Sequence, residues 1–205
     1  SMVIQVVTDP INTVYGGQPS TIFSDMEKFG ILVTYTNLPA LRDSNPIVSS
    51  LWRVFIYPID LLHTALTGSL YTFRVFPNIL NSGGEKVTLR AYLSLLNFKA
   101  NHRKLIVTDE IVNGTTTLVG LVASANPHDG SSAHSNIALK VRGNVAVDLL
   151  LSEEKVVTMA GGKFIKAKIA PRETEGKMTA QVVTDRAILD TAVSMIRNTS
   201  QGDTI

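Results

Sequence analysis

The stretch that decides the fold is Asn101-His102-Arg103-Lys104-Leu105-Ile106-Val107-Thr108-Asp109. Leu105 to Val107 is apolar and partly β-branched, which predicts a buried strand. Side chains alternate along a strand, so His102 and Lys104, two apart, share a face. That sets an imidazole beside an ammonium. Such a pair suits an anionic phosphate: the histidine can attack or protonate, and the lysine can neutralise non-bridging oxygens. Asn113-Gly114 is a strong hairpin signal, and Leu118 to Ala123 reads as the returning strand. It ends in Ser124-Ala125-Asn126. By the same alternation Ser124 and Asn126 share a face, and their hydroxyl and amide are expected to donate to the same phosphate.

Outward from this hairpin, the pattern alternates between strand and helix. Met2 to Val7 reads as a strand, broken by Asp9-Pro10. Asn12 to Pro19, with Gly16-Gly17, reads as a surface loop. Ser20 or Thr21 caps a helix carrying Phe23, Met26 and Phe29, and Gly30 stops it. Ile31 to Tyr35 is a second strand, so the opening favours an α/β layer. Arg42 to Pro46 reads as a helix start, with Asp43 or Ser44 as cap and Pro46 in the first turn. That helix runs through Leu51, Val54 and Phe55, and Pro58 is expected to kink or end it. A second helical stretch follows from Leu61 to about Leu70. Residues 47–66 are apolar almost all round, so this face is expected to be buried, with docking on a bilayer as the alternative. Val87 to Leu96 has helical spacing. Asn136 to Val141 reads as a strand and Val145 to Met159 as a helix ended by Gly161-Gly162. Lys163 to Lys177 is a basic connector, for which contact with phospholipid headgroups is the alternative. Gln181 to Val183 reads as a strand and Arg186 to Arg197 as a helix.

Composition bounds the function. The chain has 205 residues, 44% hydrophobic and 18% charged, with a net charge of +2 and no cysteine. That is ample for a core and unlike a disordered chain. No large basic field advertises nucleic acid. Thiolate nucleophiles, disulfides and cysteine-ligated zinc are excluded. No signal peptide is visible in the opening residues. The longest apolar stretch, Leu51 to Phe73, carries Arg53, Pro58, Asp60 and His63 and makes a poor membrane span.

His102-x-Lys104-x4-Asp109 resembles the HxKxxxxD motif of the phospholipase D superfamily, and Ser124-x-Asn126 looks like that family's downstream Ser-x-Asn. Arg42 to Trp52 and Lys99 to Asp109 are similar to the cardiolipin-synthase-like branch of two-repeat bacterial members. The resemblance covers most of residues 2–142. It implies an α/β fold in which a mixed β-sheet is sandwiched between α-helices. It also implies a metal-independent reaction with no cofactor. One motif histidine attacks the phosphodiester phosphorus to form a phosphohistidine, and the histidine of a second motif protonates the leaving alcohol. Water then gives hydrolysis, and another alcohol gives phosphatidyl transfer. Carried over, His102 is nucleophile or general acid, and Lys104 and Asn126 clamp phosphate with support from Ser124. Asp109 holds the motif rather than carrying a proton.

Three departures accompany the resemblance. Only one motif is present, so a second must come from a partner chain or another repeat. The interval from Asp109 to Ser124 is longer than the family's, with Ala123 where glycine is usual, and the Asn113-Gly114 hairpin is expected to absorb it. Asn136 stands where many members place an acidic residue that orients the imidazole. His128 and His134 could line the same pocket, or sit in an ordinary polar loop, and His63 reads as a core or interface histidine. The expected domains are 1–179, a first phospholipase D-like domain lacking its opening strand and helix, and 180–205, the start of a second repeat, which folds back or swaps between chains. The expected partners are a phospholipid substrate, a membrane surface and a second copy of the chain or a missing repeat. Nucleic acid is the less favoured substrate. A bacterial parent at a membrane or in the cytoplasm fits the resemblance, while the sequence itself fixes no compartment.

Overall fold

A computed structural model describes residues 3–14, 20–41, 45–67, 74–79, 83–88, 91, 94–95, 99–126, 131, 133–166, 179–184 and 186–203. The class is α/β. Compactness divides the chain elsewhere than at residue 179. One unit holds residues 1–102 and 156–165, and the other holds 103–155 and 166–205.

In the first unit, β1 (Gln5–Thr8) pairs in parallel with β2 (Leu32–Tyr35). Parallel strands need a crossover, and α1 (Thr21–Lys28) supplies it. The Ser20 hydroxyl caps α1 by accepting from the Phe23 amide at 3.3 Å, and Gly30 follows its last turn in the left-handed region. Phe23 meets Tyr35 edge-on with ring centroids 5.9 Å apart, fixing the helix over its strand. A short 3-10 turn, Pro10–Thr13, follows β1 and was not foreseen from the sequence.

The helical stretch from 46 to 67 departs from expectation at both of its signals. Asn45 is the cap, its side chain accepting from the Val48 amide at 3.2 Å; Asp43 and Ser44 lie outside the described residues. Pro58 neither ends nor breaks the helix. Here α2 (Pro46–Leu51) passes through a π turn, Trp52–Ile56, into α3 (Tyr57–Thr67), and the Tyr57 amide bonds the Trp52 carbonyl. A π turn widens the ladder by one residue, just where the proline lacks its N–H. Nor is this stretch buried: nine of its large apolar side chains are more than half exposed. No helix among the described residues is long and apolar enough to cross a membrane.

β3 (Arg74–Phe76) pairs antiparallel with β4 (Val87–Thr88). The expected helix over Val87–Leu96 therefore begins later: Ala91, Ser94 and Leu95 are helical, and the Thr88 hydroxyl accepts from the Ala91 amide. Val14, Val87, Ala91 and Leu95 form a buried cluster, with Ile11 and Phe76 against it.

The second unit is built on a hairpin. β5 (Leu105–Val112) and β6 (Thr115–Ala123) pair antiparallel from Leu105–Val122 to Val112–Thr115, and β7 (Ala138–Arg142) adds to β6. Asn113 and Gly114 both have positive φ, 50° and 75°. That geometry matches the right-handed twist of the flanking strands. Helix α4 (Asn144–Met159) buries Ala146, Leu149 and Ser152. It sits against the sheet where Gly120 has no side chain: a Cβ there would lie 2.6 Å from the Leu149 Cδ1. Helix α5 (Arg186–Arg197) is as expected, but Gln181 to Thr184 form no strand. Among the described residues the ladders form three separate small sheets rather than one mixed sheet.

Candidate functional site

The site is built on the hairpin's open end. Its ladder stops at a backbone bond from the Ala123 amide to the Lys104 carbonyl, 2.9 Å long, and the chain then bends at Ser124. A polar web replaces the ladder. The Ser124 hydroxyl donates to Asn136 Oδ1 at 3.1 Å and accepts from the Ile137 amide at 3.0 Å. Asn136 Nδ2 donates to the carbonyls of Ser131 at 2.7 Å and His134 at 2.9 Å. The Asn126 amide donates to the Ser131 hydroxyl at 2.9 Å, and Ser131 is buried. Side-chain bonds thus supplement the backbone bonds from the Ser124 amide to the Ile137 carbonyl and from the His134 amide to the Ser131 carbonyl, which is the ordinary way to satisfy polar groups beyond a ladder.

This web bears on two expectations. A serine hydroxyl has one proton to give, and that of Ser124 goes to Asn136, so Ser124 braces the loop rather than donating to phosphate. Asn136 spends both N–H groups on carbonyls of its own loop, and its Oδ1, the atom that would stand in for an orienting carboxylate, accepts from the Ser124 hydroxyl. By the register Lys104 stands opposite Ala123, and cross-strand neighbours project to one face; Ser124 lies past the end of β6, at the bend, where strand alternation no longer applies. Asn126 lies beyond the bend, and its side chain is exposed and bonds no other described residue.

His102 is exposed and is the last residue of the first unit's 1–102 segment. Lys104 is half-buried and precedes β5; Asp109 is exposed, opposite Leu118 in the ladder. His134 is exposed, and its amide donates to the Ser131 carbonyl at 3.2 Å. His128, the His63 side chain and Gly16-Gly17 lie outside the described residues, as do Lys168, Arg172 and Lys177. Lys166 stands 3.8 Å from Glu154.

Four residues missed in the sequence position the motif. In the first unit, buried Asp9 caps the 3-10 turn through Oδ1, accepting from the Ile11 amide at 2.8 Å, while its Oδ2 accepts from the Asn101 amide. Asn101 Nδ2 also reaches the hydroxyl of Thr36, which in turn donates to the Thr8 carbonyl. Buried Lys99 donates to the Leu41 carbonyl at 2.8 Å. The approach to His102 is therefore tied to the C-terminal ends of β1 and β2. In the second unit, Arg103 donates to the Ser152 carbonyl at 3.0 Å and to Glu153 Oε1 at 3.1 Å. Alternation then turns Lys104 to the face away from α4. In the sequence Asp9 reads as a strand breaker; for Arg103 the available signal is the alternation around Lys104.

Farther along the face that carries Lys104, Glu110 bonds Arg142 at 2.8 Å and Lys140 at 3.2 Å. Arg142 first, and then Lys140, hold its carboxyl below the usual carboxylate range. Among the described residues no cluster of three or more His, Cys, Asp or Glu side chains is placed to hold a metal ion. Comparison with family models, with curated proteins and with solved structures finds no match to this chain.

Proposed function

We propose that the chain supplies half of a phospholipase D-like phosphodiesterase or phosphatidyltransferase site acting on phospholipids. The observation that carries this reading is the motif His102-x-Lys104-x4-Asp109, leading into a hairpin whose return strand ends in the Ser124–Asn136 web with the Asn126 side chain exposed. In the proposed reaction a histidine nitrogen forms a bond to phosphorus as the bond to the alcohol oxygen breaks. The leaving alcohol takes a proton from the histidine of a second motif, on another chain or repeat. Water or a second alcohol then attacks phosphorus, gives its proton back to that second histidine, and frees the first. Lys104 and Asn126 neutralise and hold the non-bridging oxygens, because a dianionic transition state needs positive charge and donors aimed at it. Ser124 and Asn136 keep the loop that carries Asn126 in place.

The test is phosphodiester cleavage by the 205-residue chain, with EDTA present, on anionic and zwitterionic phospholipid vesicles and on DNA. His102→Ala runs in parallel. Lipid turnover that falls by about a thousandfold or more in the variant supports the reading. Cleavage of DNA alone moves the chain to the nuclease branch of the same chemistry. Absence of His102-dependent turnover on either substrate overturns completion of the site by two copies of this chain, and leaves either half a site that needs a second repeat or an inactive lipid-binding or dimerisation module.

A further inference from the structure

Residues 46–67 combine three properties that do not belong together in a finished surface. They form an unbroken helical run. Nine large apolar side chains on it stand more than half exposed, from Leu51 at 53% to Leu66 at 76%. Their sequence is also self-complementary on reversal.

The exposure is too large for chance. Side chains of this size, half to three-quarters open, present on the order of 1,000 Å² together, whereas the largest apolar patch on an ordinary monomer is about 300–600 Å². One partner in a stable interface buries roughly 800 Å².

The π turn arranges six of the nine into a stripe. Ile47, Leu51, Phe55, Ile59, Leu62 and Leu66 are spaced four, four, four, three and four. In a purely α-helical run such spacing drifts around the axis. The extra residue held by the π turn at Trp52–Ile56 takes up that drift.

The reversal symmetry identifies the occupant. Turning the helix end for end about the point between Ile56 and Tyr57 carries Ile47 onto Leu66, Leu51 onto Leu62, and Val54 onto Ile59. Every one of these six side chains is exposed. An antiparallel pair of identical helices therefore sets aliphatic against aliphatic at these three levels, with Phe55 meeting Pro58 just inside the third, as a two-fold interface allows. A bilayer is a poorer fit. A helix lying in lipid headgroups carries Lys and Arg on its polar face, and Arg53 is the only one of either in 46–67.

We propose that this helix is a homodimer interface, pairing antiparallel with the same helix of a second copy. The surface is independent of the catalytic reading and stands whether or not the chain turns over phospholipid.

The absence of cysteine from the chain makes the register directly testable. Sedimentation velocity of the full chain at micromolar concentration should give a dimer. Leu51→Glu with Leu62→Glu sets carboxylate against carboxylate across the two-fold axis and should weaken association by about a hundredfold or more. Leu51→Lys with Leu62→Glu sets opposite charges at the same levels and should recover much of that loss, an outcome that misfolding cannot produce. Under oxidation, Ile47→Cys with Leu66→Cys should form a covalent dimer. Ile47→Cys alone should not, because the two copies of residue 47 lie about 28 Å apart along the pair. A monomeric wild-type chain overturns the proposal, whether it stays in solution or is captured by vesicles. So does a dimer indifferent to the paired glutamates, or crosslinking by Ile47→Cys alone.

Discussion

The two ends of the β5–β6 hairpin are held by opposite means. At the Asn113-Gly114 end the backbone does everything: two residues with positive φ close the turn, and Val112 pairs Thr115 at once. At the Ser124 end the ladder has stopped, and the side chains of Ser124, Ser131 and Asn136 hold the chain. The first end can be replaced only by residues that tolerate the same dihedrals. The second presents polar groups in an arrangement that a regular ladder could not offer. A fold is anchored at one end so that a site can be irregular at the other.

The largest effect expected is at neither end but between them. Gly120→Val puts a branched side chain where even a Cβ meets Leu149 Cδ1 at 2.6 Å and Val141 Cγ2 at 3.2 Å. Chemical denaturation should show a loss of about 2–3 kcal/mol. A near-neutral result would mean that α4 is not seated on the hairpin there. Gly114→Ala should cost about 1 kcal/mol through φ alone, since nothing lies within 4 Å of the added carbon.

Asn136→Ala sharpens the contrast. It removes three hydrogen bonds, two exposed and one part-buried, so global stability should shift by only about 1 kcal/mol. Hydrogen exchange at the Ile137 and Asn126 amides should nevertheless accelerate at least tenfold, while amides of Thr108 to Thr117 stay unchanged. Uniform acceleration along the hairpin would make the two ends one cooperative unit and erase the distinction.

The smallest effect belongs to Glu110→Gln. The Glu110 carboxyl is held below its usual range by Arg142 and Lys140. A lowered pKa stabilises the folded state above the unfolded value, and the benefit is lost as pH falls through the folded one. The thermal midpoints of wild type and variant should differ most at neutral pH and converge in acid, once pH has fallen below the usual glutamate range and through the lowered folded value. Curves that stay apart there would assign the difference to packing instead.

What could be read in advance was local. Ser20 capping α1, the crossover between β1 and β2, and the Asn113-Gly114 turn each depend on a few adjacent residues. The register was available too: a two-residue turn pairing Val112 with Thr115 already sets Lys104 against Ala123. Counting along the strands shows that the ladder is spent before Ser124, whereas reading Ser124-x-Asn126 as a motif does not. Asp9 and Asn101 could not be joined this way, because no local pattern links residues so far apart. The 46–67 stretch misled for a different reason. Apolarity all round ordinarily means burial, and sequence periodicity does not show whether the burying partner lies within the same chain.

The Asp9–Asn101 bond also bears on the order in which the molecule assembles. The hairpin joins neighbours and can close within about 1–10 μs. Asp9 and Asn101 are 92 positions apart, and Leu41 and Lys99 are 58 apart. Closing such loops costs entropy that local contacts do not pay. The strands beyond Lys104 are therefore set early, and the residues leading into His102 take their final path only when the opening strand arrives. On this order of events the fold's most regular part precedes its proposed chemistry, and the motif is completed from its C-terminal side backwards.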